Sequence, residues 1–270
     1  MQGTSPTTTE TTATAKNSPP PASPAVGFLR ADLAAAKTSH YAARESGDTV
    51  ELVERPDGGF TLVLVDGQGH GFPAKMLSLQ LTSKAVALIK EGVRDGAVAR
   101  AVHNYLHAYR GGRVSATLDL LTLDLGTNSV LVARNADVPG AVRRDGDGAW
   151  ELLPTVSGPI GIRRHARPAI DHFDLALGLH VVLFTDGIAH AGERYGAPLD
   201  VLSALSAHAT EAATAQAVAD SLLGAAVAAD RGLPNDDMTV IALTITAREE
   251  RAMTRHLTAN VPLVQRRRDG

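Results

Sequence analysis

The sequence predicts an α+β fold in which antiparallel sheets are flanked by helices, and three observations lead there. Strand-like runs and helix-like runs are grouped along the chain instead of alternating as βαβ units would. The apolar segments are of two kinds: short β-branched runs that stop at turn residues, and longer stretches with apolar residues every third or fourth position. Hydrophobic residues make up 44% and charged residues 20% of the 270 positions, the balance of a chain that buries a core.

The elements follow in order. Thr61-Leu62-Val63-Leu64-Val65 is short and stops at Asp66-Gly67, which suits a buried strand. Thr49 to Glu54 pairs with it through the Pro56-Asp57-Gly58-Gly59 turn as a hairpin. Pro73 fits a first helical turn, and Leu77, Leu81, Ala85 and Leu88 then recur at helical spacing up to Gly92. A second helix carries Val98, Val102, Tyr105 or Leu106, and Tyr109 on one side, and Gly111-Gly112 end it. Ala116 to Leu125 and Ser129 to Asn135 make a second hairpin around Gly126-Thr127-Asn128, and Trp150 to Leu153 and Ile170 to Leu175 are shorter strands. Val181 to Phe184 is another buried strand, leading into Asp186-Gly187. Helical spacing returns at Leu199 to Leu205 and at Glu211 to Ala229, with Val218, Leu222 and Ala226 on one face, and Met238 to Thr246 is the last strand.

Composition narrows the function. With 26 Lys+Arg against 29 Asp+Glu the formal charge is −3, which gives no general nucleic-acid partner. There is no cysteine, so disulfides, thiolate metal sites and a cysteine nucleophile are excluded together. The sequence shows neither an apolar run of membrane-spanning length nor a signal-peptide layout, so no membrane partner and a cytoplasmic location are expected. Residues 1–26 hold seven threonines and five prolines and read as a disordered tail. Residues 27–247 read as one domain without an internal linker, and 248–270 as a basic C-terminal tail ending in Arg266-Arg267-Arg268.

Three segments place an aspartate at a strand end: Asp66, Asp186, and Asp236-Asp237 just before Met238. Asp48, in Glu45-Ser46-Gly47-Asp48, starts the strand beside that of Asp66. Sheet ends fix where such carboxylates originate, and converging carboxylates repel unless a cation lies between them. Oxygen donors without thiolates suit a hard ion, Mg²⁺ or Mn²⁺, singly or as a pair, with the Gly67 carbonyl as a further donor.

Four stretches, in this order, resemble the metal-dependent PPM/PP2C-like protein phosphatases, and among them the bacterial SpoIIE-type group. They are Ser46-Gly47-Asp48, Leu64-Val65-Asp66-Gly67-Gln68-Gly69-His70-Gly71, Leu183-Phe184-Thr185-Asp186-Gly187-Ile188, and Asn235-Asp236-Asp237-Met238-Thr239-Val240. The resemblance covers roughly residues 30 to 246. It implies an α/β/β/α sandwich of two antiparallel sheets, two Mn²⁺ or Mg²⁺ ions, and hydrolysis of phosphoserine or phosphothreonine by a metal-activated water. By the same resemblance Asp48 would hold one metal, Asp66 would bridge both, the Gly67 carbonyl would complete the second site, and Asp186 and Asp236 would hold the other side. Asp66 and Asp186 are then the catalytic residues, acting through the ions, and Asp237 supports the site from behind. The partner implied is a phosphorylated regulatory protein, with anti-sigma antagonists (STAS-like domains) or stress-signalling scaffolds as precedent. Only about 26 residues precede the core, so no separate sensor domain is expected.

The chain departs from the family pattern in three places. Gln68 stands where eukaryotic-type members carry a histidine general acid. Asn135-Ala136-Asp137-Val138-Pro139 replaces the group's usual Asn-Ala-Gly-His before a proline, and His190 replaces a common glutamate. These changes keep open a second reading, a catalytically silent PP2C-like module that docks a phosphoprotein. A haloacid-dehalogenase-type reading fails, because its second aspartate would stand at Gln68. His70 reads as a loop residue, His103 and His107 as a structural pair, Gly158-Pro159-Ile160-Gly161 and Asp145-Gly146-Asp147-Gly148 as turns, and Arg44 as a candidate to approach a substrate phosphate.

Overall fold

The computed structural model describes residues 1, 28–144, 148–153, 157–207, 213–248 and 254–261. The Thr/Pro-rich tail, the Asp145-Gly146-Asp147 turn, Glu211 and the triple arginine near the C-terminus lie outside the described residues.

Among the described residues ten strands form two sheets in which every pairing is antiparallel. One sheet has the order β2 (Thr49–Glu54), β3 (Gly59–Gly67), β4 (Ala116–Asp124), β5 (Ser129–Asn135) and β8 (Ala169–Asp174). The other has the order β1 (Phe28–Thr38), β10 (Met238–Arg248), β9 (His180–Phe184), β6 (Ala141–Arg143) and β7 (Glu151–Leu152). Alternation along the strands sends every second side chain between the sheets. There Leu62, Leu64, Leu121 and Val132 meet Val181, Leu183, Ile241 and Leu243. The opposite face of the first sheet is covered by α1 (Gly71–Lys90) and α2 (Asp95–Arg110), that of the second by α4 (Val201–Ser206) and α5 (Ala215–Ala229), with the single turn α3 (Asp186–Ala189) beside β10. This is the expected α/β/β/α sandwich. Among the described residues no helix is long and apolar enough to cross a membrane.

Several boundaries moved, each for a local reason. The helix read from Glu211 starts at Ala215, because the Thr214 side chain caps it by accepting the Ala217 N–H at 3.2 Å. Asp200 likewise caps α4 through the Ser203 N–H at 3.1 Å, so that helix begins at Val201 rather than Leu199. On α2 the buried stripe is Val98, Val102 and Leu106, and Tyr109 is 58% exposed. On α1 Ile89, not Leu88, ends the buried face. β1 was not foreseen, since its Ala-rich sequence has little strand propensity. It is held by eleven residues of register with β10, and its alanines fit under the helix layer, where Ala34 and Ala36 pack with the α5 cluster.

In the β2–β3 turn, Gly59 has φ +92°, and a Cβ there would come within 2.1 Å of the Leu123 carbonyl. Only glycine lets β3 lie this close to β4.

Candidate metal centre

Antiparallel pairing brings the acidic strand ends to one edge. Thr49 faces Val65, so Asp48 and Asp66 leave the first sheet side by side, and Val240 faces Phe184, so Asp186 and Asp236-Asp237 leave the second sheet together. The sheets are then joined through Asp48. Its Oδ2 accepts hydrogen bonds from the hydroxyls of Thr185, just past the end of β9, and Thr239, on β10, both belonging to the other sheet's edge. Asp237, the buried member of its pair, accepts the His40 N–H at 2.9 Å and the Gly47 N–H at 2.7 Å and so holds the loop that delivers Asp48. From behind, Lys75 Nζ donates to the Asp48 carbonyl at 2.8 Å, and burial with the nearby Lys37 charge lowers the Lys75 pKa.

Close backbone approach makes this possible. A Cβ on Gly67 would lie 2.5 Å from the Ala74 carbonyl of α1, and one on Gly187 would lie 2.2 Å from the Asp237 carbonyl. Each Asp-Gly pair therefore sets a carboxylate on a strand end and lets the next segment turn in directly behind it.

The electrostatics are those of crowded negative charge. Burial, then the charges of Asp48, Asp186 and Asp236, raise Asp66 to about 9. Burial raises Asp48 to about 7 against its two hydroxyl donors, and Asp186 is raised by burial and by Asp236. Asp48 Oδ1 is buried without a hydrogen-bond partner. A buried carboxylate oxygen without a donor is costly, and a cation would both satisfy it and reverse the three shifts. The donor set, all oxygen, fits a hard divalent ion. The set is open: among the described residues no three acidic or imidazole groups are gathered tightly enough to cage an ion by themselves.

Asp66, Asp186 and Asp236 line one cleft of about 250 Å³, together with Asp137, His70 and Thr117. Asp48 lies fully buried behind them, and Gly67 closes the end of β3. Asp137, which the sequence marks only as a departure from a motif, is a further carboxylate in the cleft. It stands two residues beyond the end of β5, so a strand-end criterion widened by one residue marks it too. The Gln68 side-chain carbonyl accepts the Ser115 N–H at 2.9 Å while the Gln68 backbone N–H donates to the Ser115 carbonyl, a stitch between the end of β3 and the start of β4. His103 and His107 both bond Gly161, at 3.1 and 3.0 Å, and so are structural. Arg44 is exposed, does not line the cleft and makes no ion pair among the described residues.

The family model of stage II sporulation protein E (SpoIIE) matches residues 56–246. Stage II sporulation protein E of Priestia megaterium is 21% identical over 196 residues, 73% of this chain and 33% of that protein, so the chain spans about a third of the relative's length. The PP2C phosphatase domain of SpoIIE from Bacillus subtilis, with a fragment of its regulatory domain, superposes with a TM-score of 0.69 at 20% identity, covering 82% of this chain and 64% of that one. The RsbU and RsbW domains of Rv1364c from Mycobacterium tuberculosis give 0.66 at 23% identity, covering 82% and 62%. RsbX in complex with magnesium gives 0.61 at 13% identity, covering 80% and 96%.

Proposed function

The chain belongs to the SpoIIE family and has the fold of its PP2C-type phosphatase domain, and on that premise we propose that residues 27–247 hydrolyse phosphoserine or phosphothreonine on a phosphorylated regulatory protein. The observation that carries the reading is the convergence of carboxylates from both sheets around Asp48, whose buried Oδ1 has no hydrogen-bond donor. Asp48, Asp66, Asp186 and Asp236 and the Gly67 carbonyl are the groups we assign to hold two Mn²⁺ or Mg²⁺ ions. When bound, such ions acidify an attacking water and neutralise phosphoryl oxygens.

The chain's own residues do the rest. Thr185 and Thr239 orient Asp48 by donating to its Oδ2, leaving Oδ1 free to ligate. Asp237 fixes the loop before Asp48, and Lys75 fixes its backbone, so this ligand is immobilised before an ion arrives. Gln68 is committed to Ser115 and has no proton to give at neutral pH. The imidazole lining the cleft is His70, which we assign to meet the leaving oxygen of the substrate. The anti-sigma antagonist class of substrate is supported by the company the chain keeps: stage II sporulation protein E and a protein with RsbU and RsbW domains are among its similar proteins.

The test is phosphate release from a phosphoserine protein and from p-nitrophenyl phosphate, with Mn²⁺ or with chelator, in the native chain and in Asp186→Asn. Hydrolysis that needs the metal and disappears in the variant supports the assignment. Tight Mn²⁺ binding with no release from either phosphate would replace it by a silent docking module.

A further inference from the structure

Beside the acidic cleft the surface changes sign. From Gly96 to Leu118 and from Ser157 to Ile170 the chain contains no aspartate or glutamate, although its net charge is −3. Those two segments carry Arg100, Arg110, Arg113, Arg163, Arg164 and Arg167, all exposed, and none is in an ion pair among the described residues. Exposed arginines gathered without an acidic neighbour in their own segments make a local positive field on an otherwise acidic chain, which attracts an acidic partner.

The two segments form one surface. Gly161, with φ +98°, is wedged so closely that a Cβ would lie 2.3 Å from the Val114 carbonyl and 2.5 Å from Leu106 of α2. Its N–H donates to His103 and its carbonyl is bonded by His107. The loop that follows is therefore pinned along α2, where Arg100, Asn104, His165 and Arg167 line a cleft of about 330 Å³. The same two segments run into the metal edge. Pro159 and Ser115 line the carboxylate cleft, each within four residues of Arg163 or Arg113. Ile162, Ile170 and Tyr109 are exposed on this surface at 45%, 51% and 58%. Arginine with tyrosine and exposed aliphatics is the composition of a protein interface.

We propose that this arginine surface of α2 and the 162–167 loop docks an acidic face of the phosphoprotein substrate and aligns its phosphoserine with the cleft. The proposal deepens the phosphatase reading and rests on it. An acidic protein face is favoured over nucleic acid by the apolar residues among the arginines and by the carboxylate cleft at one end, which repels a continuous phosphodiester chain but accepts a single phosphate through its ions.

The experiment uses the full chain with Mn²⁺ and two labelled phosphoserine peptides, one flanked by glutamates and one by glutamines. The variants are Arg163→Glu/Arg164→Glu/Arg167→Glu on the loop and, separately, Arg100→Glu/Arg113→Glu on the α2 side. The glutamate peptide is expected to bind roughly ten-fold more tightly than the glutamine peptide at low salt, an advantage lost on adding salt and in both variants. Hydrolysis of p-nitrophenyl phosphate, which is too small to reach the arginines, should be unchanged in both. Equal binding of the two peptides, or variants that keep the preference, would overturn the docking surface. So would a single-stranded oligonucleotide that binds more tightly than the glutamate peptide. Absence of p-nitrophenyl phosphate hydrolysis in the native chain strikes the phosphatase reading, while peptide binding still decides the surface.

Discussion

Two buried carboxylates in this molecule have similar burial and opposite surroundings. Asp48 sits at the edge where the carboxylates converge, and Asp119 sits between the sheets on β4, opposite Arg134 on β5. Burial raises both to about 7. For Asp119 the Arg134 charge opposes the rise, whereas Asp48 has only hydroxyl donors and the added negative charge of Asp237 and Asp186. Arg134 also pairs with Asp171 at 3.3 Å and donates to the Val138 carbonyl at the end of the loop carrying Asp137. A buried carboxylate facing a fixed cation organises structure. One facing other carboxylates has no such partner of its own, and on the proposed function a bound cation would supply it.

The largest effect should separate the two regions by activity. Asp66→Asn or Asp186→Asn should lower metal-dependent phosphate release by roughly a thousand-fold, corresponding to several kcal/mol of lost charge stabilisation, with the thermal midpoint of the metal-free chain unchanged or higher. A mutant that kept activity within ten-fold would erase the distinction. Next comes stability. Asp119→Ala should destabilise the chain by about 1–3 kcal/mol, since it removes a partner from buried Arg134, while Mn²⁺ still raises the thermal midpoint. Gly67→Ala belongs with it, because its Cβ would strike the Ala74 carbonyl, and should cost about 2 kcal/mol or more in urea unfolding.

A pH series sharpens the comparison further. Asp48, Asp66 and Asp119 all have folded-state pKa values raised above about 4, the unfolded value, to about 7, 9 and 7. The folded chain therefore binds protons more tightly than the unfolded one, and metal-free stability should fall as pH rises from about 4 towards 9. Saturating Mn²⁺ should remove the share due to Asp48 and Asp66 and leave that of Asp119. The same fall with and without metal would contradict the account. The smallest effect is expected at Gln68: Gln68→Ala removes one side-chain bond to the Ser115 N–H and should lower activity only a few-fold.

Much of this was legible in the sequence because β-branched runs stopping at Asp-Gly pairs report both a strand and what stands at its end. β3 and β9 are readable on that ground, and with them the strand-end positions of Asp66 and Asp186, while β10 is readable as an apolar run that starts after Asp236-Asp237. β1 was not, because its alanines are set by contact with the α5 layer rather than by strand propensity. Nor was the support of Asp48 by Thr185 and Thr239, 137 and 191 residues away, since only the stacking of the two sheets brings them together. The segregation of arginine was hidden by a net charge that averages the acidic edge with its basic neighbour.

The most direct test of the central claim is a Mn²⁺ titration by calorimetry at neutral pH on the native chain, Asp48→Asn and Asp119→Asn. The account predicts binding to the native chain with release of protons from the raised carboxylates, comparable binding to Asp119→Asn, and binding weakened at least roughly ten-fold in Asp48→Asn. Undiminished binding to Asp48→Asn, or equal weakening in both variants, would contradict it.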